Sequence, residues 1–482
     1  MVKRLSAIGG AHLPLTRSQT PLESYDRDSI TEVVLGQHVR NSKGQDWNPR
    51  MFSLLSRNKK SLLTISLLFL IVSSRIAYLY YNKTYAVLSY AEMERAAVSL
   101  AREGSIGNVY SYNSGKSAHV APLYPLFLSG IYKIFGWNSV SGRIAQKACA
   151  ILATALGICL LPFVARKTNL PESAGWIAAF AMALLPLNLW VETSGSWEQP
   201  FAALLLIASL LSFCSLRDEN WSRTISVVYS GLLVGGMALL SPALLPAGLL
   251  MFLAELMGRQ TLRKRVLKGG LLMLAVATVA ISPWVIRNYL VFGHFIPLRS
   301  NLGLELMIGN NPLANGKTYI TSADDPANPM MRMHPYASVE ERERLIQMGE
   351  ANYMNEKKRA SLQWIRDNPQ KAAGLTFRRF LLFWFPDADL WSPSTPQRSF
   401  KSLAFCSIGI LFFCDLFRLL LLRHSTAWLF AGAIIGPSLI YMITHVDPRY
   451  RYPLFGLSLL LACDIILAIG KFIFYRRKPM MS

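Results

Sequence analysis

The chain has 482 residues, of which 52% are hydrophobic and only 16% are charged. A water-soluble protein of this length needs more polar side chains to cover its surface, so repeated apolar segments indicate a membrane protein. The net charge of +22 comes mostly from Lys and Arg between those segments. This placement is typical of loops at a membrane surface and speaks against a nucleic-acid-binding protein.

The cysteines give no sign of a metal site or of disulfide bonds. All six lie inside apolar segments and none has the spacing of a zinc ligand pair. Residues 1–60 are polar and precede the first apolar segment, so they do not resemble a cleavable signal peptide. We expect this tail to be disordered and cytoplasmic.

The segments that follow predict an all-α polytopic membrane protein with about ten transmembrane helices. A crossing takes about 20 apolar residues. The predicted spans are roughly 61–80, 143–164, 173–191, 200–216, 225–241, 243–257, 269–288, 402–422, 426–444 and 452–473. Lys and Arg recur in the loops that a cytoplasmic N-terminus places inside, which predicts a multi-pass protein of the cell (inner) membrane with both termini cytoplasmic.

The first long outer loop, residues 81–142, is predicted to hold two interfacial helices. Tyr90–Glu103 has an amphipathic pattern and is followed by Gly104, a typical helix stop. Pro122–Gly136 is apolar but too short to cross a bilayer, and counting it as a span would invert every later loop.

The second long outer segment, residues 289–401, is predicted to be mainly helical. Ser338 and Glu341 form a capping-box pattern that begins a helix running to about Asp367, and Pro369 begins another helix. The chain thus divides into the tail 1–60, spans one to seven in 61–288, the outer segment 289–401, and spans eight to ten with a basic tail in 402–482.

The candidate catalytic base is Glu92, near the start of the amphipathic helix in the first outer loop. Arg95 follows at i+3 and could hold its carboxylate. Partial burial would raise the pKa of Glu92 toward neutrality, which suits a general base. Glu94 is the rival base, and an ordinary solvated helix face with Glu/Arg pairs is the alternative interpretation.

The candidate phosphate-binding residues are basic side chains just outside the membrane. Arg449 and Arg451 directly precede the last span, where a lipid-linked phosphate would leave the bilayer. Anchoring of the helix end to ordinary headgroups is the alternative. Further candidates for this role are Arg287, Arg299, Lys133 and His445.

Several other polar residues are weaker candidates. Glu192 and Glu198 could orient a sugar, although a solvated or capping role is favoured for both. Asp387 and Asp389 resemble a metal-binding DxD pair but have no further ligands in the sequence. His119 could lie near Glu92. We therefore predict no metal site and no certain cofactor, and dependence on a divalent metal stays open.

Three segments resemble one enzyme family. The run EMERAAVSLAREGSIGN with GKSAHVAPLYPLFLSGIYKIFG is similar to the first outer loop of bacterial GT-C glycosyltransferases of the dolichyl-phosphate-mannose protein mannosyltransferase type, especially their Rgt-like galacturonosyltransferase and aminoarabinose transferase relatives. SPWVIRNYLVFGHFIPLRSNLGLELMIGNNP and HVDPRYRYPLFGLSLLLA resemble further segments of this group. The resemblance covers most of residues 61–475.

This resemblance implies a membrane glycosyltransferase whose active site is extracytoplasmic. Such an enzyme moves a sugar from a polyprenyl-phosphate carrier to an acceptor hydroxyl on a lipid, glycan or protein, without a soluble nucleotide sugar. An acid of the first loop is the base, and Glu92 is the best match, although Asp is common at this place in the superfamily. A transporter or flippase of lipid-linked sugars is the alternative function.

Overall fold

The computed structural model describes residues 49–87, 91–318, 332–391, 395 and 397–476. The described residues are helical almost throughout, and their extended backbone pairs only in two isolated bridges, Gly107 with Lys116 and Lys317 with Val446. The predicted all-α class is therefore confirmed. The chain divides into two units after Leu62, and every contact discussed below lies in the second unit, residues 63–482. Most of the predicted tail 1–60 falls outside the described residues.

The α-helices, numbered in chain order, are α1 Pro49–Tyr81, α2 Glu92–Glu103, α3 Leu123–Phe135, α4 Val140–Cys159, α5 Leu161–Lys167, α6 Glu172–Leu184, α7 Leu189–Ser194, α8 Gln199–Asp218, α9 Thr224–Leu240, α10 Leu245–Gly258, α11 Arg263–Phe292, α12 Leu302–Gly309, α13 Val339–Met348, α14 Glu350–Asp367, α15 Pro369–Trp384, α16 Arg398–Leu421, α17 Ala427–Ile435, α18 Leu439–Ile443 and α19 Tyr452–Arg476. Short 3-10 helices lie at Thr84–Ala86, Pro242–Leu244, Gln260–Leu262, Ala388–Leu390, Gly436–Ser438 and Pro448–Arg451.

Six helical segments of the described chain are long and apolar enough to cross a membrane. They are Lys60–Tyr81, Val140–Lys167, Gln199–Asp218, Gln260–Phe292, Arg398–Leu421 and Pro448–Ile473, and each coincides with a predicted span. The other four predicted spans coincide with shorter apolar helices, Glu172–Leu184, Thr224–Leu240, Pro242–Gly258 and Ala427–Ile443. The count of ten spans therefore remains a prediction, and six of these ten spans have the length expected for a membrane crossing.

Glycines let two helix pairs approach closely. A Cβ atom on Gly231 of α9 would lie 2.8 Å from the carbonyl oxygen of Met273 on α11. A Cβ atom on Gly432 of α17 would lie 2.8 Å from the backbone nitrogen of Met251 on α10. Small residues at such crossings allow the two backbones to come into contact. Helices in a membrane associate through this close packing, because moving an apolar side chain from lipid to protein gains little free energy.

The membrane helices are also joined by a buried ion pair. Arg75 of α1 is fully buried, and its Nη2 lies 2.7 Å from Oε2 of Glu192 on α7. The same guanidinium donates hydrogen bonds to the carbonyl oxygens of Met182 and Ala183 at the end of α6. The predicted solvated or capping role of Glu192 is therefore wrong, because the residue neutralises a buried cation and fixes α1 against α6 and α7.

The outer segments follow the prediction at most helix ends. Gly104 ends α2 in the left-handed region, with φ of 71°. The Ser338 hydroxyl accepts the backbone N–H of Glu341 and begins α13 as the capping box predicts. The expected single helix from Val339 to Asp367 is, however, two helices, because Gly349 adopts a φ of 77° and breaks it.

Candidate active site

Glu92 and Arg449 line the same cavity. This cavity has a volume of about 330 Å³, and its wall also contains Lys147 and the aromatic rings of Trp197 and Tyr336. Glu92 is the first residue of α2, Lys147 belongs to α4, and Arg449 lies in the 3-10 turn that leads into α19. A carboxylate and two cations from three distant parts of the chain thus meet in one enclosed space.

Two histidines flank the Glu92 carboxylate. Oε1 of Glu92 lies 3.3 Å from Nε2 of His119 and 3.3 Å from Nε2 of His334. The predicted neighbourhood of His119 and Glu92 is confirmed, whereas His334 was not anticipated. The predicted partner Arg95 places its guanidinium over the ring of Tyr336, with 5.4 Å between its carbon and the ring centre.

The positions of these three side chains suit a bound metal ion. One ligand atom from each of them lies within 4.8 Å of the other two. Two ligands bound to one zinc ion at about 2.0–2.1 Å in tetrahedral geometry are roughly 3.3 Å apart, which both carboxylate–imidazole distances match. Nε2 of His119 is buried and lies next to the Glu92 carboxylate, on the side where such an ion would bind.

Groups behind the imidazoles set their orientation. Nδ1 of His119 lies 2.8 Å from the hydroxyl of Tyr110, and the backbone N–H of Tyr336 donates to Nδ1 of His334 over 3.1 Å. A neutral imidazole that accepts at Nδ1 carries its proton on Nε2. To bind a metal through Nε2, each ring must carry its proton on Nδ1: the Tyr110 oxygen can accept that proton from His119, whereas His334 would lose the hydrogen bond from Tyr336.

The structure reverses the predicted pKa shift of Glu92. Burial raises the pKa of this carboxyl, but the charge and hydrogen bond of His119 and the charge of His334 together outweigh burial, and the resulting pKa is about 2. Burial lowers the pKa of His334 to about 4, so its ring is neutral at pH 7. Glu92 is therefore a permanent carboxylate, ready to hold a cation or to accept a proton, and the predicted neutral-range pKa is wrong.

Arg449 is held at the cavity by an aromatic ring. Its guanidinium carbon lies 3.6 Å from the centre of the Trp197 ring. Oδ1 of Asp447 accepts the backbone N–H of Arg449 at 3.0 Å and lies 3.6 Å from its Nε. A guanidinium binds an oxyanion through two parallel N–H bonds, and stacking on an indole fixes the plane of those donors.

Lys147 is the second cation of the cavity, and sequence reasoning missed it. Its side chain is buried, and Nζ donates to the carbonyl oxygen of Ser194 over 3.0 Å. The residue lies inside the predicted span 143–164, where a lone lysine is costly and therefore an indication of function. That position was the signal that could have identified it.

Arg451 occupies a different environment from Arg449. It is 3% exposed, and its guanidinium donates to the carbonyl oxygens of Phe383 and Trp384 at the end of α15 and of Phe405 on α16. These bonds engage both terminal nitrogens of the guanidinium, and Arg451 does not line the cavity. The predicted phosphate-binding role of Arg451 is therefore corrected to a structural one, in which it joins α15, α16 and α19.

Replacing Arg451 by Ala is expected to lower the free energy of unfolding by about 2–5 kcal/mol, because three buried carbonyl oxygens lose their donor. A thermal-shift assay of the detergent-solubilised protein would show the drop in Tm, with Arg449→Ala as a control that leaves Tm nearly unchanged. An unchanged Tm together with weaker carrier binding would restore the original assignment.

The remaining predicted basic residues do not line the cavity. Arg287 donates to the carbonyl oxygens of Ser117 and Ile106 and so holds the first outer loop. Nε of Arg299 donates to the carbonyl oxygen of His119 over 2.7 Å, which supports the Glu92 site from behind. The Lys133 side chain is exposed on α3.

His445 is likewise held away from the cavity. Nε2 of this buried ring lies 2.7 Å from Oε2 of Glu305, and Nδ1 lies 2.8 Å from Oγ1 of Thr318. Both ring nitrogens therefore have partners within the protein. Because none of Arg287, Arg299, Lys133 and His445 lines the cavity, we no longer expect them to contact a carrier phosphate directly.

Glu94 is buried behind Glu92. Its Oε1 accepts hydrogen bonds from Nε2 of Gln146 at 2.7 Å and from Oγ of Ser196 at 3.1 Å. Ser196 lines the cavity, whereas Glu94 does not. This position favours a supporting role for Glu94, which ties α2 to the wall of the cavity, over a role as the base.

The remaining acidic candidates are Glu198, Asp387 and Asp389, which are either buried or paired with a cation. The carboxyl of Glu198 is buried, which raises its pKa, and one of its oxygens lies 3.4 Å from Oγ of Ser241. Asp387 pairs with Lys317 at 2.9 Å, and Asp389 lies 3.5 Å from Arg398. Because the two aspartates pair with different cations, they do not form a shared metal site.

Comparison with known proteins supports the predicted resemblance. Residues 119–286 match the sequence profile of the dolichyl-phosphate-mannose-protein mannosyltransferase family. No curated protein sequence matches the chain. The matched segment begins at His119 and includes Lys147, so it covers part of the cavity.

Solved structures with a similar fold come from the oligosaccharyltransferase of Archaeoglobus fulgidus. The structure tethered to an acceptor peptide with the NVT sequon has a TM-score of 0.53 and 14% identity, over 89% of this chain and 52% of that chain. The complex with Zn and sulfate has a TM-score of 0.51 and 12% identity, over 86% of this chain and 50% of the other. The chain thus spans about half the length of these proteins, and the likeness shows a helical fold similar to theirs.

Proposed function

We propose that this chain transfers a sugar from a polyprenyl-phosphate carrier to an acceptor hydroxyl at the extracytoplasmic face of the cell membrane. The observation that carries the proposal is the single cavity that holds the Glu92 carboxylate together with Lys147 and Arg449. Transfer of a sugar from a lipid phosphate needs an acceptor for one proton and cations for the departing phosphate. The mannosyltransferase family match over residues 119–286 supports the same reaction class.

The cations of the cavity would serve the leaving group. Negative charge builds on the carrier phosphate as its bond to the anomeric carbon breaks. Arg449 offers two parallel N–H donors and Lys147 offers a point charge, so both interactions strengthen as the reaction proceeds. In an interior sheltered from water these interactions are stronger than in solution.

Glu92 would take the proton of the acceptor. The acceptor oxygen forms a bond to the anomeric carbon, the electrons of the broken bond stay on the phosphate oxygen, and the hydroxyl proton passes to the Glu92 carboxylate. A carboxylate accepts this proton readily once bond formation has made the hydroxyl acidic.

Glu92, His119 and His334 would hold a divalent cation, for which their donor set and spacing fit. A cation there supplies a positive charge that can polarise an oxygen of the substrate. Tyr110 and Arg299 would keep His119 in its orientation, because they bind its ring nitrogen and its carbonyl oxygen.

The purified protein is expected to contain about one tightly bound divalent metal per chain. His119→Ala should remove most of this metal, because it deletes the ligand that is already in position, and His424→Ala should not, because His424 lies outside this group. Elemental mass spectrometry of protein dialysed against a weak chelator measures the content. Equal metal content in wild type and His119→Ala would contradict the assignment.

The alternative function is a flippase or transporter of lipid-linked sugars. Transporters place ionisable residues in the substrate path at mid-membrane. Here Glu255 is within salt-bridge distance of Arg217 and Arg259, and Asp415 and Asp464 share Arg418. Because these membrane acids already have partners within the protein, the cavity with Glu92 is the stronger candidate for function.

One assay separates the two functions. The protein is reconstituted in nanodiscs with polyprenyl-phosphate sugars extracted from the membranes of the source organism, and the carrier is followed by mass spectrometry. Transferase activity predicts loss of the sugar and accumulation of free polyprenyl phosphate when membrane extract is added as the acceptor. A flippase breaks no bond, so an unchanged carrier would contradict the proposal.

A further inference from the structure

A groove, separate from the cavity of Glu92, runs along α2 next to that cavity. Arg95, Ser99 and Arg102 line it from one side of α2, and Trp137 and Tyr132 line it from the end of α3 and the residues after it. Its enclosed part is only about 30 Å³, roughly the space of one water molecule, so a ligand would lie across it as in an open trough.

The groove combines aromatic faces with paired polar groups. The guanidinium carbon of Arg102 lies 5.5 Å from the centre of the Trp137 ring. The Glu103 carboxylate accepts hydrogen bonds from Oγ of Ser99 and from Nδ2 of Asn108, each at about 3 Å. Tyr112 adds a phenol ring that is 62% exposed. Such a surface offers both donors and acceptors beside flat apolar faces.

The groove and the cavity are adjacent. Glu94 lines the groove, and its carboxylate accepts the hydroxyl of Ser196, which lines the cavity. Arg95 lines the groove and stacks on Tyr336, which lines the cavity. From Arg95 to Arg102 the helix rises about 10 Å at 1.5 Å per residue. An extended ligand in the groove would therefore place one end within a helical turn of Glu92.

We propose that this groove binds the acceptor, and that the acceptor is a glycan chain of two or more sugars whose terminal hydroxyl reaches Glu92. The inference rests on the proposed transferase function. A sugar ring has apolar C–H faces that pack on aromatic rings and hydroxyls that both donate and accept, which matches Trp137 with Arg102 and Glu103.

Other acceptors fit the groove less well. Val98 is the one aliphatic side chain among the described residues that line it, so an acyl chain would cover charged groups without replacing their hydrogen bonds. A peptide bound as an added strand would need a free strand edge, and the described backbone around the groove pairs only in the bridge of Gly107 with Lys116.

The test is equilibrium binding by the full chain in nanodiscs. The probes are tetrasaccharides of defined glucose, mannose, galacturonic acid or N-acetylglucosamine composition, the matching monosaccharides, and peptides of similar length. Wild type should bind at least one tetrasaccharide more tightly than its monosaccharide. Trp137→Ala should weaken that binding about tenfold, whereas Trp137→Phe, which keeps an aromatic face, should stay within about threefold.

Two further variants keep the test decisive. Tyr112→Ala removes an exposed ring with little risk to folding and should weaken tetrasaccharide binding about threefold. Trp428→Ala removes another exposed indole, on α17, and should have no effect. Absence of tetrasaccharide binding, equal binding by wild type and both groove variants, or peptide binding that depends on Trp137 would each overturn the glycan groove.

Release of polyprenyl phosphate, measured in parallel, tests the transferase function separately. A chain that binds tetrasaccharides through Trp137 but never releases carrier phosphate would overturn the transferase function. A chain that transfers sugar with no dependence on Trp137 and Tyr112 would overturn the groove alone.

Discussion

Glu92→Gln is expected to reduce sugar transfer about 10³-fold while leaving the protein folded in the membrane. The amide keeps the shape of the side chain but neither accepts a proton nor balances the charge of a cation held with His119 and His334. Formation of free polyprenyl phosphate, measured over time with purified variants, gives the ratio of rates. Binding of the carrier itself should change little, because in the proposed mechanism the phosphate binds to Arg449 and Lys147.

Glu94→Gln is the matched control for this experiment. Glu94 lies two residues away on the same helix and accepts two hydrogen bonds within the protein, from Gln146 and Ser196. Its replacement disturbs a supporting contact, so we expect a loss of no more than about tenfold. An inactive Glu94→Gln beside an active Glu92→Gln would move the base to Glu94, and full activity of both variants would refute the mechanism.

Arg449→Ala is expected to weaken binding of the carrier about 10–100-fold. A charge-assisted hydrogen bond contributes about 1.5–3 kcal/mol, and each 1.4 kcal/mol corresponds to a factor of ten. Native mass spectrometry or a titration with polyprenyl phosphate in nanodiscs measures the dissociation constant. The Trp197 ring would lose its stacked partner but would remain packed against the core.

Arg449→Lys separates charge from geometry. Lysine keeps the positive charge but lacks the planar pair of donors and the stacking surface, so we expect it to recover only part of the affinity. If Arg449→Ala bound the carrier as wild type does, the phosphate would have to lie elsewhere in the cavity. Lys147→Ala would then be the next variant to examine.

The helices were predictable where a local signal sets them. The apolar and polar faces of Tyr90–Glu103 and the stop at Gly104 predicted α2, because both depend on residues within a few turns. Ser338 and Glu341 likewise marked the start of α13. The break at Gly349 was missed, since one glycine in a polar helical pattern does not by itself end a helix.

Helix lengths were less predictable than apolar segments. The segment 426–444 is apolar throughout, yet its helix is interrupted at Gly436–Ser438, where Pro437 lacks the N–H for a regular hydrogen bond. The segment 173–191 is interrupted after Leu184, before Pro186. Hydropathy predicts which segments can lie in lipid, but it does not predict where the helical hydrogen bonds within such a segment are interrupted.

The site residues could be predicted only as far as sequence proximity allowed. Arg449 and Arg451 are two residues apart and chemically identical, and what distinguishes them is the set of carbonyl oxygens at the end of α15 and on α16. His334 is far from Glu92 in the sequence, and only the fold brings them within 3.3 Å. The pKa of Glu92 had the wrong predicted sign because the prediction considered burial alone and did not include the effect of the two imidazoles.

The most direct test of the transferase account is mass spectrometry of envelope glycans from a strain that lacks this protein. Extracted glycolipids, glycans and glycoproteins are compared after complementation with wild type, Glu92→Gln or Glu94→Gln. We expect one sugar to be missing in the deletion strain and its polyprenyl-phosphate carrier to accumulate, with wild type and Glu94→Gln restoring the sugar and Glu92→Gln failing to do so. Full restoration of the sugar by Glu92→Gln would contradict the account.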